Sequence, residues 1–272
     1  MKRTPASADT RSPWALAILT GSLGVLVACV LWAPARWLSA TLASLSGERV
    51  QLADARGTLW QGSAVLVLTG GEGSRDRLAL PGRLHWQWRW PGSAGWTAPG
   101  LQAQVDCCMR EPSTVWLHVG PGHAEAEMGA HASQWPASLL SGLGAPWNTL
   151  QLEGQLQLNS DGLRLQWAQG RWQLQGGAEL TLQDLSSRLS TLRPMGSYRV
   201  QLQGSADPAA LPRIELSTLS GSLKLAGQGQ WLDRRLRFQG EASAAPEHEA
   251  ALSNLLNIIG RRQGSRSLLS LG

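Results

Sequence analysis

Several kinds of residue are nearly missing from this chain. Lysine occurs only as Lys2 and Lys224, and a single Phe and a single Tyr stand beside 14 Trp. Arginines do the work of lysines but lie scattered, so no basic stripe exists to follow a phosphate backbone. Nucleic acid is therefore not expected as a partner. The net charge of +5 owes much to Lys2, Arg3 and Arg11, and what remains argues only weakly for anionic lipid head groups. Arg over Lys and Trp over Phe resemble a coding bias, so the Trp count alone carries little functional weight.

Motifs of catalysis are missing as well. The chain has no Gly-x-Ser-x-Gly, no phosphate loop, no HExxH and no dinucleotide fingerprint. Glu125 and Glu127 sit on an alternating segment whose polar side faces water, where carboxylates solubilise more often than they catalyse. His118, His123 and His131 join those two acids in the only ligand-type cluster. Their spacing matches no compact metal motif, and polar surface is the preferred reading. No enzyme activity, cofactor or metal is expected. Of the three cysteines, Cys29 lies in an apolar run, while Cys107 and Cys108 are adjacent. On a strand such neighbours point to opposite faces. That favours free thiols or an intermolecular bond over a strained vicinal disulfide.

What is present begins with that apolar run. From Trp14 to Trp32 no charge occurs, and 19 residues at 1.5 Å each nearly match a hydrocarbon core of about 30 Å. The run predicts a single membrane-spanning helix over 14–32, carried by Trp14, Leu16, Ile18, Leu19, Leu23, Val25, Leu26, Val27, Val30, Leu31 and Trp32. Basic residues in 1–13 keep the N-terminus in the cytoplasm and send the rest across the membrane. Ala33-Pro34-Ala35 and Ala40-Thr41-Leu42-Ala43 resemble signal-peptidase sites. A cleaved signal has a shorter apolar region of about 7–15 residues, so an uncleaved anchor is expected. Residues 33–46 then read as an interfacial segment, with Trp37 and Arg36 suited to the head-group layer and a short amphipathic helix to about Ser46.

Beyond residue 47 the period is two. Strands are expected from Val50 to Ala55, from Thr58 to Leu68 after a turn at Arg56-Gly57, from Arg83 to Trp90, and over Leu101–Asp106, Ser113–Val119 and His123–Met128. Residues 132–148 read as a helical link, with a short helix over Ala137–Gly144. The second β-half, 149–272, alternates most plainly. Leu152, Leu156, Leu158, Leu165, Trp167, Leu174, Leu182, Val200, Leu202, Leu223, Leu225, Leu236 and Phe238 would share one dry face. A Leu-x-Leu-x-Gly repeat closes on Gly154, Gly176, Gly204 and Gly227, consistent either with a plain meander or with a curved trough. A helix over about Glu247–Ile259 and a last strand over Ser267–Leu271 complete the chain. The fold class is mainly β: one transmembrane helix, then a long, curved antiparallel sheet in two halves (47–131 and 149–272), with short helices at the link and near the C-terminus.

Three segments in order resemble type II secretion system protein N, also called general secretion pathway protein N. They are Gly57-Thr58-Leu59-Trp60-Gln61-Gly62 after the anchor, the stretch from Trp135 to Pro146, and the tail from Asn254 to Gly264. In the first, Gly57 would make the turn, Trp60 would anchor the hairpin and Gly62 would permit close approach. The Trp-rich hairpin at 86–90 and the Cys107-Cys108 pair have no place in the family pattern. The resemblance implies a non-enzymatic, inner-membrane accessory component of type II protein secretion, with a periplasmic body and other components of that system as partners. A weaker similarity to AsmA-type sheets implies an alternative, a lipid-binding or lipid-bridging β-groove with phospholipid on the dry face.

Overall fold

A computed structural model describes residues 13–92, 98–207, 210–232 and 235–271, without the side chains of Pro13, Ala15 and Leu16. The basic tail expected in 1–13 falls almost wholly outside these residues. The chain opens with helix α1 (Pro13–Leu31) and helix α2 (Ala35–Leu45). The strands that follow are β1 (Val50–Gly57), β2 (Gln61–Thr69), β3 (Arg77–Ala79), β4 (Leu84–Arg89), β5 (Gly100–Val105), β6 (Ser113–Gly120), β7 (His123–Met128) and β8 (His131–Pro136). A 3₁₀ helix (Ala137–Leu143) and helix α3 (Trp147–Leu150) lead into β9 (Leu152–Ala168), β10 (Arg171–Ser187), β11 (Gly196–Gln203), β12 (Arg213–Gly221), β13 (Leu223–Leu232) and β14 (Arg235–Ala244). Helix α4 (Glu249–Ile259), β15 (Arg261–Gln263) and β16 (Arg266–Leu271) finish it.

Among the described residues all strands belong to one 16-stranded antiparallel sheet with β1 at one edge and β15 at the other. The two halves are one sheet because β9 takes two partners along the same side. Gln155 to Ser160 pair with β8, and Leu163 to Ala168 pair with β7. The alternation therefore does not stop at Ala132, as the sequence reading holds. Residues 131–136 extend along β9, Ser133 is buried, and the helical part of the link begins at Ala137.

Ladder irregularities keep the apolar residues on one face when their numbering changes parity. Between Ser160 and Gly162 the extra residue Asp161 shifts the ladder, so Leu156 and Leu158 before it share a face with Leu163 and Leu165 after it. Between Leu182 and Leu185 a second shift, with Asp184 at φ 50°, brings Leu185 to the face that Leu182 occupies. The repeat glycines attend these places: Gly154 lies opposite the second shift and Gly176 beside the first.

Helices cover part of that face. α2 lays Ala35, Leu38 and Leu42 against Leu52, Ala64 and Trp86. The 3₁₀ helix places Leu139 over Leu80, Val105 and Cys108. α4 sends Leu252, Leu255 and Leu256 into a cluster with Leu156, Leu185, Met195, Tyr198, Leu223 and Ala242. Each of those three α4 leucines is at most 2% exposed, and burying one contributes about 1.5–3 kcal/mol.

Two local expectations are corrected. The first hairpin turns at 58–61 rather than at Arg56-Gly57, since β1 runs on to Gly57 and Thr58 N–H donates to Gln61 O at 2.8 Å. Cys107 and Cys108 are joined as a vicinal disulfide. They sit on the turn after β5 rather than on a strand, so the opposed-faces argument against pairing does not apply.

Candidate functional surface

Register defines two faces with different chemistry. On the polar face Gln157 Nε2 donates to Gln183 Oε1 at 3.0 Å, Gln166 Nε2 to Glu125 Oε2 at 2.8 Å, Gln175 Nε2 to Gln166 Oε1 at 3.1 Å, and Gln201 Nε2 to Glu179 Oε2 at 3.1 Å. Ion pairs interleave with these amides: Arg199 with Glu179 at 3.2 Å and Arg266 with Glu241 at 3.3 Å. Such exposed cross-strand pairs are each worth under about 1 kcal/mol, enough to favour one register but not to build a pocket.

The ligand-type cluster on β7 resolves into the same pattern. Arg164 reaches from β9 to Glu125 at 3.2 Å and to Glu127 at 3.1 Å, and these carboxylates raise its pKa, Glu127 most. An arginine thus occupies the position between the acids that a cation ligand set would need. Among the described residues no group of three or more His, Cys, Asp or Glu is placed to hold a metal.

Two carboxylates near the first hairpin lie below the usual range. Asp54 is lowered by hydrogen bonds from Arg83 and then Arg56, with Arg83 Nη1 at 2.7 Å. Asp106 is lowered by the Arg83 backbone N–H and then by His85. Both are exposed, and the arginine pairing of Asp54 tethers β1 to the start of β4 across the polar side of the hairpin. Tyr198 is the opposite case: burial pushes its phenol up, and its O–H donates to Leu223 O at 3.1 Å inside the α4 cluster.

The apolar face is the remaining candidate. The ladders put Leu156 opposite Leu182, Leu158 opposite Leu180 and Leu180 opposite Val200, Leu165 opposite Leu174, and Trp167 opposite Trp172. They continue with Leu202 opposite Ile214, Leu225 opposite Ala242, and Leu236 opposite Trp231, with Phe238 facing Gly229. Leu152 and Leu223 are on this face too, buried under the link helices and α4. The helices cover only the strand ends near Leu152, Ser187 and Leu223. Towards the opposite strand ends the face is bare: Leu165 is 38% exposed, Trp172 60%, Leu271 62%, and Val119 on β6 84%. Trp167 and Trp172 meet there at a tilt of 49°, their ring centres 6.5 Å apart.

The hairpin motif makes a second feature on the same side. Gly57 has φ 90°, and a Cβ on Gly62 would lie 2.5 Å from both Arg56 O and the Trp86 ring, so these two positions require glycine. Trp86 passes beneath Gly62 into the α2 core, its Nε1–H shared between Thr58 O and Leu59 O at 3.2 Å each. Trp60 turns instead towards α1, and its Nε1–H donates to Val30 O at 2.8 Å. The tryptophans of the 86–90 hairpin are thus divided, with Trp86 in the core while Trp88 and Trp90 pack with Trp60. No sequence signal pointed to the Trp60–Val30 contact, because it joins a helix end to a turn 30 residues away.

The apolar residues expected in α1 fall on a continuous helix. Trp14, Ile18, Leu19, Leu23, Val25, Leu26, Val27, Val30, Leu31 and Trp32 are exposed, and Leu16 lies outside the described side chains. Among the described residues no helix is long and apolar enough to cross a membrane.

No curated protein and no solved structure matches this chain. The family model described as "Type II secretion system (T2SS), protein N" matches residues 48–268, from just before β1 into β16, and the chain belongs to that family.

Proposed function

We propose that the chain is an accessory component of type II protein secretion, fixed to the bacterial inner membrane by α1 and working in the periplasm through contacts rather than chemistry. Membership of the family supports the secretion role and contact with other components of that system. The observation that carries the mode of action is the half-covered apolar face. A sheet that buries Leu152, Leu156 and Leu223 under its own helices yet leaves Leu165, Trp172 and Val119 bare has surface suited to a partner.

Anchoring by residues 14–32 rests on the uncharged 19-residue run and on the exposure of its large side chains all around the helix. Ala33 and Ala35 are 3% and 1% exposed and packed into the body, and α2 covers Leu52 and Trp86. Cleavage after Ala43 would strip that cover, and cleavage after Ala35 would remove both buried alanines, which favours an uncleaved anchor. Residues 33–46 then lie at the interface, and 47–131 and 149–272 form two parts of one periplasmic body. Glu125 and Glu127 on the polar face are engaged with arginine and glutamine, which supports a non-catalytic role.

A second reading is favoured by the same bare strip. Leu165, Trp167, Trp172 and Leu174 form an apolar floor that would suit an acyl chain, as in an AsmA-like lipid groove. Purification of the tagged full chain from native membranes separates the two. Enrichment of secretion-system proteins supports the first. Stoichiometric phospholipid on the chain, with no such protein above background, replaces it with the second.

A further inference from the structure

The Trp-rich hairpin lies outside the contacts proposed so far, and its position relative to α1 gives it a use. One side-chain hydrogen bond and two backbone links join the end of α1 and the residues just after it to the turn of the first hairpin. Trp60 Nε1 donates to Val30 O at 2.8 Å, Leu59 N to Ala33 O at 2.8 Å, and Pro34 bridges Thr58. The chain therefore passes from α1 to the sheet through a bonded joint, not a free linker.

Around this joint the aromatic rings collect. Trp60 lies 6.3 Å from Trp88 and 5.3 Å from Trp90, centre to centre, and Trp88 stacks on Trp90 at 6.1 Å. Trp90 is 51% exposed, and Trp32 and Trp37 on the α1–α2 side are 73% and 53% exposed. Indoles left half in water at the end of an apolar helix are the residues that a bilayer's interfacial layer accepts best, apolar body inward and N–H among head groups. Charge agrees: residues 28–47, the hairpin turn 57–62 and residues 87–91 contain Arg36 and Arg89 but no Asp or Glu. The loops at the opposite strand ends carry Glu48, Glu72, Asp76, Asp106 and Glu111.

We propose that Trp60, Trp88 and Trp90 form, with Trp32 and Trp37, a collar seated in the head-group layer of a phospholipid bilayer, and that the α1–hairpin joint holds the sheet at a fixed attitude to it. The proposal rests on α1 being the anchor. Its partner is the lipid surface itself, and its consequence is that the acid-bearing strand ends and the bare apolar strip stand at set heights above the membrane rather than swinging on a tether. A fixed height suits a contact that must meet other envelope parts in register.

Spin labels on the full chain test this in vesicles of phosphatidylethanolamine and phosphatidylglycerol. Cys29→Ala removes the one free thiol, and the Cys107–Cys108 disulfide does not react with thiol labels. Cysteines are then placed singly at Gly24, which has open space around it, at exposed Arg89 beside the collar, and at exposed Arg75 by the far strand ends. The ratio of oxygen to nickel-complex collisions reports depth. The expected order is Gly24 deepest, Arg89 several-fold above Arg75, and Arg75 as in water. Equal ratios at Arg89 and Arg75, with Gly24 deep, overturn the collar while leaving the anchor. A Gly24 label as exposed as Arg75 overturns the anchor and the collar with it. For the joint, Trp60→Phe keeps the ring and removes the N–H donor. Distances between labels at Gly24 and Arg75 should then spread more widely than in the parent, and an unchanged spread overturns the fixed attitude.

Discussion

Replacing Leu225 by arginine, and in a separate chain Gln201 by arginine, asks the sheet to declare its two faces. Both residues lie within strands of the second half and receive the same side chain. Leu225 stands opposite Ala242, which is fully buried, and packs against the cluster that holds Leu252, Leu255 and Leu256 of α4. Its backbone is tied where β12 leaves the ladder: Leu225 N–H donates to Thr218 Oγ1 at 2.7 Å, and that hydroxyl donates to Leu225 O at 2.8 Å. The backbone is thus pinned, and the new side chain has little freedom to swing to the other face. Leu225 is half-buried, so Leu225→Arg forfeits part of the roughly 1.5–3 kcal/mol that full burial of a leucine contributes. It also sets a guanidinium against alkyl groups, which costs several kcal/mol less whatever snorkelling recovers. A net loss of about 3–5 kcal/mol lowers the melting temperature by about 6–20 °C for a body of this size. Gln201 instead donates to Glu179 on the polar face, beside Arg199, and an arginine there keeps a carboxylate within reach. Its effect should stay within about 0.5 kcal/mol. Tryptophan fluorescence of the full chain in detergent, followed on heating, reads both variants. Equal melting temperatures would refute the division of faces.

Other expectations follow from particular contacts. Leu256→Ala, at a fully buried position, should cost about 2–5 kcal/mol and release α4 first, seen as faster amide exchange over residues 249–259 than over β9 and β10. Because Arg83 and Arg56 hold the Asp54 carboxyl below its ordinary value, the stability it lends is present at neutral pH and lost as pH falls through the lowered folded value. Carbon-13 titration should find Asp54 low, and Arg83→Gln should bring it back towards the ordinary range. Thiol counting on the denatured, unreduced chain should find Cys29 alone, and reduction should expose Cys107 and Cys108 as well; three thiols before reduction would contradict the vicinal bond. Gly62→Ala should destabilise the first hairpin, since its Cβ would strike Arg56 O and the Trp86 ring, and loss of the Trp86 environment would show in near-ultraviolet dichroism.

Much of this architecture was legible because one signal dominates. Alternation of Leu with Gln and Arg sets strand, face and antiparallel class at once, and it needs no partner to be read. What it could not show is how strands meet. That β9 accepts β7 and β8 along one side, making two halves into one sheet, is a matter of tertiary pairing, and Pro136 followed by the helical Ala137–Leu143 disguised β8 as linker. The parity changes at Asp161 and Asp184 were visible only as leucines that switch from even to odd numbers; the ladder shows that the face is kept and the strand bulged. The cysteine pair was misread because its two residues were treated as strand neighbours, although the strand ends at Val105 and both lie on the turn that follows. Of the candidate surface, the apolar residues could be named from sequence. Which of them the helices leave bare could not, since it depends on where α2, the 3₁₀ helix and α4 dock.

The central claim is that this family member works by contact through the bare part of its apolar face. Photo-crosslinking in cells tests it most directly, with a benzophenone amino acid placed at Trp172 on that strip and, as control, at Arg171, which is exposed beside it and points to the other face. The account predicts adducts to secretion-system proteins from Trp172 and none from Arg171. Adducts equal from both positions, or from Arg171 alone, would contradict it.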